Sequence, residues 1–210
     1  MNEHKILRDK ADIKIGKIRI SPVFIGMMIL FSFFADYLYL LLTLAFALMH
    51  EFAHLLVLKY YNKTVKEIYF KPFGISIIKD EKNLTLNQEI FVAFAGPFFN
   101  LFCFLALIFL NFYYSNVIII YMILLNFFLF VLNLFPVYPL DGGRIIYCLL
   151  YKFFCYETTN KIIRFINFSF LMFIGGFGIY MLYLTSFNLS LVFIFIFLFI
   201  NIVLRSPYVC

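Results

Sequence analysis

The sequence predicts an all-α polytopic membrane protein, and its composition is the first basis for this prediction. Hydrophobic residues make up 65% of the 210-residue chain and charged residues 13%, against about 45–50% and 25% in soluble proteins. The mean hydropathy is +0.99. A water-soluble domain of this length could not bury so much apolar surface, so a soluble globule is excluded and lipid is the expected solvent.

The second basis is the presence of apolar stretches of the length that crosses a bilayer, about 20 residues. Two polar segments, 61–89 and 136–161, interrupt the pattern, and no internal repeat is present. We therefore predict a single membrane domain over 21–205, between a basic tail at 1–20 and a short tail at 206–210. Its six predicted spans are 21–35, 37–60, 90–114, 117–135, 162–184 and 189–204.

The basic residues predict the orientation of these spans. All 17 Lys and Arg lie in four regions, namely 1–20, 59–82, 144–164 and Arg205. With six spans, these regions fall on one side of the membrane, and cytoplasmic loops are the ones that carry excess Lys and Arg. Both termini are therefore predicted to be cytoplasmic. The net charge of +6 then reports membrane orientation, and we expect no nucleic-acid partner.

The segment 64–79 between the second and third spans predicts a short β-hairpin-like insert. Its two halves partly alternate apolar and polar residues, and Pro72, Phe73 and Gly74 stand between them as turn residues. One edge of this hairpin could pair with an unwound substrate segment by strand addition. An interfacial hairpin, with lysines in water and apolar side chains in lipid, is the alternative.

Ionisable residues inside a span are costly and indicate function, and the second span carries three of them within the five residues 50–54. His50 and His54 are four residues apart, so on a helix both rings lie on one face and can bind one metal ion. Glu51 lies beside this face as a candidate general base. This HExxH pattern is typical of zinc hydrolases. The alternative is a polar cluster that holds helices together.

A catalytic zinc usually has three protein ligands, and we predict Asp141 as the third. It lies in the segment 133–144, where two prolines break the fourth span and two glycines follow the aspartate. The remaining histidine, His4, is in the tail, and Asp36 is on the opposite side of the membrane. One alternative is that Asp141 lies in a surface turn. Another is that Glu157 is the third ligand.

Together these motifs resemble the site-2 protease family of intramembrane zinc metalloproteases. The resemblance rests on HEFAH at 50–54, on PLDGG at 139–143 and on AGPFFN at 95–100. KPFG at 71–74 resembles the sporulation branch, whose members cleave the inactive precursor of a late sporulation sigma factor. That branch usually has a C-terminal CBS domain, which is not found within these 210 residues.

The resemblance implies an activity and a set of site residues. It implies a metalloendopeptidase of a bacterial membrane, with Zn²⁺ on His50, His54 and Asp141 and with Glu51 as catalytic acid and base. The implied substrate is a membrane-associated or single-span protein, such as a sigma-factor precursor, and membrane regulatory partners are compatible with this activity. The alternative is a non-catalytic membrane protein that binds zinc, either a pseudoprotease or a transporter-like protein. The candidate substrate-positioning residues are Asn133, Phe73, Gly74 and Asn100.

Overall fold

A computed structural model describes residues 13–16, 18–22, 25–26, 36–63, 65–71, 74–79, 84–137 and 140–185. Within these residues the chain is mainly helical, with one small sheet. The helices are α1 (Tyr37–Tyr60), α2 (Leu86–Tyr113), α3 (Val117–Leu134), α4 (Asp141–Phe153) and α5 (Tyr156–Thr185). The strands are β1 (Ile13–Ile15), β2 (Ile18–Ile20), β3 (Val65–Lys71) and β4 (Gly74–Lys79).

Three of the described helices, α1, α2 and α3, are long and apolar enough to cross a membrane. They confirm the helices predicted at 37–60, 90–114 and 117–135, although α2 begins earlier, at Leu86. The predicted fifth span, 162–184, lies inside α5, which is not one of these three helices. Most of the predicted first span and all of the sixth lie outside the described residues.

Side-chain caps determine where the first two of these helices begin. Asp36 caps α1, because its Oδ1 accepts a hydrogen bond from the backbone N–H of Leu38 at 3.0 Å. At α2, Thr85 and Gln88 form a reciprocal capping box, with donor–acceptor distances of 3.0 and 3.3 Å. Such a cap stabilises a helix by about 1 kcal/mol, since it satisfies N–H groups that have no partner within the helix.

The four strands form one sheet in the order β1–β2–β3–β4. The hairpin predicted at 64–79 is confirmed, because β3 and β4 pair antiparallel from Val65 opposite Lys79 to Lys71 opposite Gly74. Strands β1 and β2 were not predicted; they lie in the predicted basic tail, and β2 pairs with β3 in parallel. At the opposite edge of the sheet, β4 contacts α1.

The chain forms two compact units. The first unit consists of Met1–Asn83 and Phe98–Leu129, and the second consists of Leu84–Pro97 and Phe130–Cys210. In the first unit, a polar contact joins α1 to α3: the hydroxyls of Thr43 and Tyr121 are 2.6 Å apart. The ring of Tyr39 also packs edge-on against Tyr121, with centroids 4.6 Å apart.

The second unit contains a helix that the sequence did not predict. The segment 136–161 was expected to be a polar connection, but α4 occupies its middle. Tyr147 and Cys148 on α4 are buried against Ile163 of α5, with Leu86 and Ile90 of α2 packed around them. The two glycines at the start of α4 explain why this helix was not predicted, because glycine is a poor helix former.

An ion pair and a hydrogen bond also join α4 to α2 within this unit. The guanidinium of Arg144 lies 2.5 Å from a carboxylate oxygen of Glu89. Farther along α4, Lys152 donates a hydrogen bond to Asn87. Both α2 partners lie in its first turn, so the start of α2 is tied to α4 at two points.

Gly142 allows α4 to begin directly against the end of α3. A Cβ at this position would lie 2.2 Å from the carbonyl oxygen of Leu134 and 2.5 Å from that of Phe135. Only glycine avoids this clash with backbone atoms. The helix break before Pro136 and the close approach after Asp141, both expected from the sequence, are therefore confirmed.

We predict that Gly142→Ala lowers the free energy of unfolding by about 1–3 kcal/mol, the usual range for overpacking. The physical reason is that the backbone of Leu134 and Phe135 has to move to make room for the Cβ. The measurement is the midpoint of thermal unfolding of the full chain in detergent. Gly176→Ala on α5 is the matched control, because a Cβ there meets nothing within 4 Å. Equal unfolding midpoints for the two variants would contradict the contact between α4 and the end of α3.

Candidate metal centre

Two buried histidines on α1 form the centre of the candidate site. His50 is 5% exposed and His54 is 4% exposed, in a helix whose other side chains, apart from Leu58, are partly or fully exposed. Their Nε2 atoms lie 3.2 Å apart, and their ring planes are nearly perpendicular at 80°. The uninterrupted helix between them explains this geometry, since residues four apart lie one above the other on one face.

The separation of these two nitrogens fits zinc. Zn–N bonds are about 2.0–2.1 Å long, so two nitrogen ligands of a tetrahedral ion lie roughly 3.3–3.4 Å apart. The observed 3.2 Å is close to that value. Both Nε2 atoms can therefore bind one ion without a change in the helix.

Asn100 contacts the other nitrogen of His50. Its side chain, on α2, is fully buried, and one end of the amide lies 2.8 Å from Nδ1 of His50. The sequence suggested a substrate-positioning role for Asn100. Within the first unit, its amide contacts a candidate metal ligand, His50.

Glu51 lies directly after His50 on α1 and is only partly buried. A helix rotates by about 100° per residue, so Glu51 projects beside the histidine face rather than onto it. A carboxylate in this position can move protons next to the metal ligands without being one of them.

Asp141 belongs to the second unit, where it is the first residue of α4 and 7% exposed. The N-terminal end of a helix stabilises a negative charge. Arg144, one turn later, has a guanidinium nitrogen 3.7 Å from a carboxylate oxygen of Asp141 and is also paired with Glu89. Sequence reasoning missed Glu89, although an acidic residue at the start of a span is a signal of function or pairing.

The donor types of a catalytic zinc site are therefore present. The first unit supplies two buried imidazoles, from His50 and His54, and the second unit supplies one buried carboxylate, from Asp141. Zinc hydrolases use such sets of three protein ligands and keep the fourth position open. Of the other candidates, Asn133 is half-buried near the end of α3, Gly74 begins β4, and Phe73 lies outside the described residues.

Comparison with known proteins identifies related chains. Residues 115–174 match the model of Peptidase family M50, a stretch that contains Asn133 and Asp141. Over 130 residues the chain is 26% identical to Stage IV sporulation protein FB of Bacillus subtilis, with coverage of 59% of this chain and 44% of that protein. It is 30% identical over 164 residues to a zinc metalloprotease of Methanocaldococcus jannaschii, with coverage of 75% and 48%.

The chain thus spans less than half of each of these two relatives. A solved structure extends the similarity to nearly the whole chain. The Site-2 Protease from Methanocaldococcus jannaschii superposes with a TM-score of 0.68 and 26% identity, and the match covers 94% of this chain and 95% of that one. The family model over 115–174, the two sequence relatives and the fold thus all relate this chain to the site-2 proteases of Peptidase family M50.

Proposed function

We propose that this protein is an intramembrane zinc metalloprotease, which hydrolyses a peptide bond in or near a membrane-associated segment of a protein substrate. The observation that carries the proposal is the pair of buried histidines on α1, with Nε2 atoms 3.2 Å apart. Two imidazoles and a carboxylate within five residues of an apolar helix are costly in lipid. Metal-dependent chemistry gives these three groups a common purpose.

The proposed ligands of the zinc ion are His50, His54 and Asp141. When bound, zinc activates water as a nucleophile and polarises the scissile carbonyl group. The donor set and the fit of the Nε2 separation to a tetrahedral ion support this assignment. The start of α4 and Arg144 both place positive charge beside the carboxyl group of Asp141, and a carboxylate is the form that binds metal.

Glu51 is the proposed catalytic acid and base. Its carboxylate accepts a proton from the attacking water and then delivers it to the nitrogen of the leaving amine, so the amide C–N bond breaks without release of an unstable anion. A position on the same rigid helix as His50 and His54 keeps the carboxylate at a fixed distance from the reaction.

The proposed substrate is a sigma-factor precursor or a related membrane-associated regulator. The similarity to Stage IV sporulation protein FB supports this class. A helical substrate hides its peptide bonds in internal hydrogen bonds, so it must unwind before it is cut. The edge strand β4, which contacts α1, could pair with the unwound segment. Asn133, Phe73, Gly74 and Asn100 are the proposed substrate-positioning residues.

We further propose the six-span arrangement with both termini in the cytoplasm. The grouping of all 17 basic residues into four regions supports it, and α1, α2 and α3 supply three helices of sufficient length. A single domain over 21–205 follows from this arrangement.

We predict that Glu51→Gln abolishes cleavage and retains zinc, because the amide keeps the shape of the side chain but cannot accept the proton. The measurement combines cleavage of candidate membrane-associated precursors with the zinc-to-protein ratio after purification. Glu157→Gln is the matched control at an exposed position on α5. A fully active Glu51→Gln variant would contradict the assignment of the base.

The same two measurements test the ligand set and the competing function. His50→Ala and Asp141→Ala should both lose zinc and activity, whereas Glu157→Ala should keep both. Loss of zinc in Glu157→Ala but not in Asp141→Ala would show that Glu157, and not Asp141, is the third zinc ligand. Zinc retained by a wild-type protein that cuts none of the precursors would favour a non-catalytic zinc-binding membrane protein.

For strand addition, we predict that single prolines within 75–78 of β4 reduce cleavage at least tenfold where the replaced N–H points away from β3, because proline removes a backbone donor from the edge. The measurement is the cleavage rate under conditions in which thermal unfolding is unchanged. Ile13→Pro in β1, at the other edge of the sheet, is the control and should cleave normally. Unchanged cleavage by the β4 variants would favour the interfacial hairpin.

For the topology, reporters fused after residue 115, which follows α2, should be exposed outside the cytoplasm, and reporters fused at either terminus should be cytoplasmic. The physical reason is the exclusive placement of Lys and Arg on one side. The readout is a pair of reporters that are active only on opposite sides of the membrane. A terminal fusion reporting from outside the cytoplasm would show that the number of spans is odd or that the orientation is reversed.

A further inference from the structure

We infer that Asn100 is a positioning residue, whose amide oxygen accepts a hydrogen bond from Nδ1–H of His50 and so keeps Nε2 of that ring available for metal. This inference rests on the proposed zinc site. It gives Asn100 a role in the site other than contact with the substrate.

The first observation is how few partners Asn100 has. Its side chain has no exposed surface, and the contact with Nδ1 of His50 at 2.8 Å is its one side-chain hydrogen bond among the described residues. The other end of the amide has no hydrogen-bond partner there. A buried polar atom that has no hydrogen-bond partner destabilises the folded state. For stability alone, an apolar side chain would therefore serve better at this position.

The second observation concerns the direction of this hydrogen bond. If the amide nitrogen donated to Nδ1, the proton of the neutral ring would be on Nε2, the atom that faces His54. That tautomer cannot bind metal through Nε2. Rotation of the amide by 180° exchanges its oxygen and nitrogen without changing the shape of the side chain. The oxygen then accepts from Nδ1–H, and the lone pair of Nε2 is available.

This orientation is the one that metal chemistry favours. A histidine ligand almost always donates its second N–H to a carboxylate or carbonyl oxygen, which fixes the tautomer and the direction of the ring. The amide oxygen of Asn100 is a carbonyl-type acceptor at hydrogen-bond distance from that second nitrogen. The amide oxygen of Asn100 stabilises the metal-binding tautomer of His50, and this role accounts for a polar side chain at a fully buried position.

The chain contains only three histidines, so the tautomer can be measured directly. The experiment uses the full chain in detergent with ¹⁵N-labelled histidine, free of metal and at pH 8, above the usual histidine pKa of about 6.5. His50→Gln assigns the signals of His50 in long-range ¹H–¹⁵N spectra. We expect the proton on Nδ1 in the wild type and in Asn100→Asp, whose carboxylate also accepts. We expect a shift of the proton towards Nε2 in Asn100→Leu.

Zinc affinity, measured by competition with a chelator, is the second readout. Loss of a partner that orients a ligand weakens metal binding about 10–100-fold, which is the effect expected for Asn100→Leu. Asn100→Asp should remain within about threefold of the wild type. Asn126→Leu is the matched control, because Asn126 is equally buried on α3 but donates to Met122 of its own helix; its zinc affinity should not change.

Two outcomes would overturn the inference. One is a wild-type His50 that carries its proton on Nε2, a result that does not depend on any variant being folded. The other is Asn100→Leu that binds zinc as tightly as the wild type. By contrast, a wild-type protein that has the Nδ1–H tautomer but binds no zinc would refute the proposed metal centre and leave the hydrogen bond between Asn100 and His50 in place.

Discussion

The constraint on which the site depends is that a polar side chain inside an apolar bundle cannot be satisfied by water. Each such group needs a partner within the protein or a ligand, since burial without one costs free energy. His50 has Asn100 on one side and His54 on the other. Asp141 lies at a helix start, beside the charge of Arg144. The buried groups that we propose to be functional are thus the groups for which the fold supplies polar partners.

The two kinds of candidate ligand are supplied by opposite kinds of backbone. His50 and His54 depend on regularity, because only an unbroken helix keeps two rings one turn apart. Asp141 depends on interruption: α3 ends at Leu134, and α4 begins against its last carbonyls at Gly142. Irregular backbone at membrane depth is tolerated where protein or a polar cavity surrounds it, so the break itself marks a site.

The sequence predicted those features that depend on local pattern. Apolar length was enough for α1, α2 and α3, turn residues were enough for the hairpin of β3 and β4, and the spacing of His50 and His54 was enough for the histidine pair. It missed α4, whose glycines argue locally against a helix, and it missed β1 and β2, which are three residues each. The contacts of Asn100 with His50 and of Arg144 with Glu89 join residues about fifty positions apart. No single-sequence pattern encodes such pairs.

The position of His50 along α1 has a consequence for the supply of water, the second reactant in peptide-bond hydrolysis. His50 lies ten residues before the helix ends at Tyr60, which is about 15 Å at 1.5 Å per residue. Each peptide bond that is hydrolysed consumes one water molecule, and the hydrocarbon core of a bilayer holds almost none. In the proposed topology, α1 ends at the cytoplasmic surface, so water would travel that distance to reach His50. The rate of such an enzyme depends on hydration of its interior as well as on the entry of its substrate.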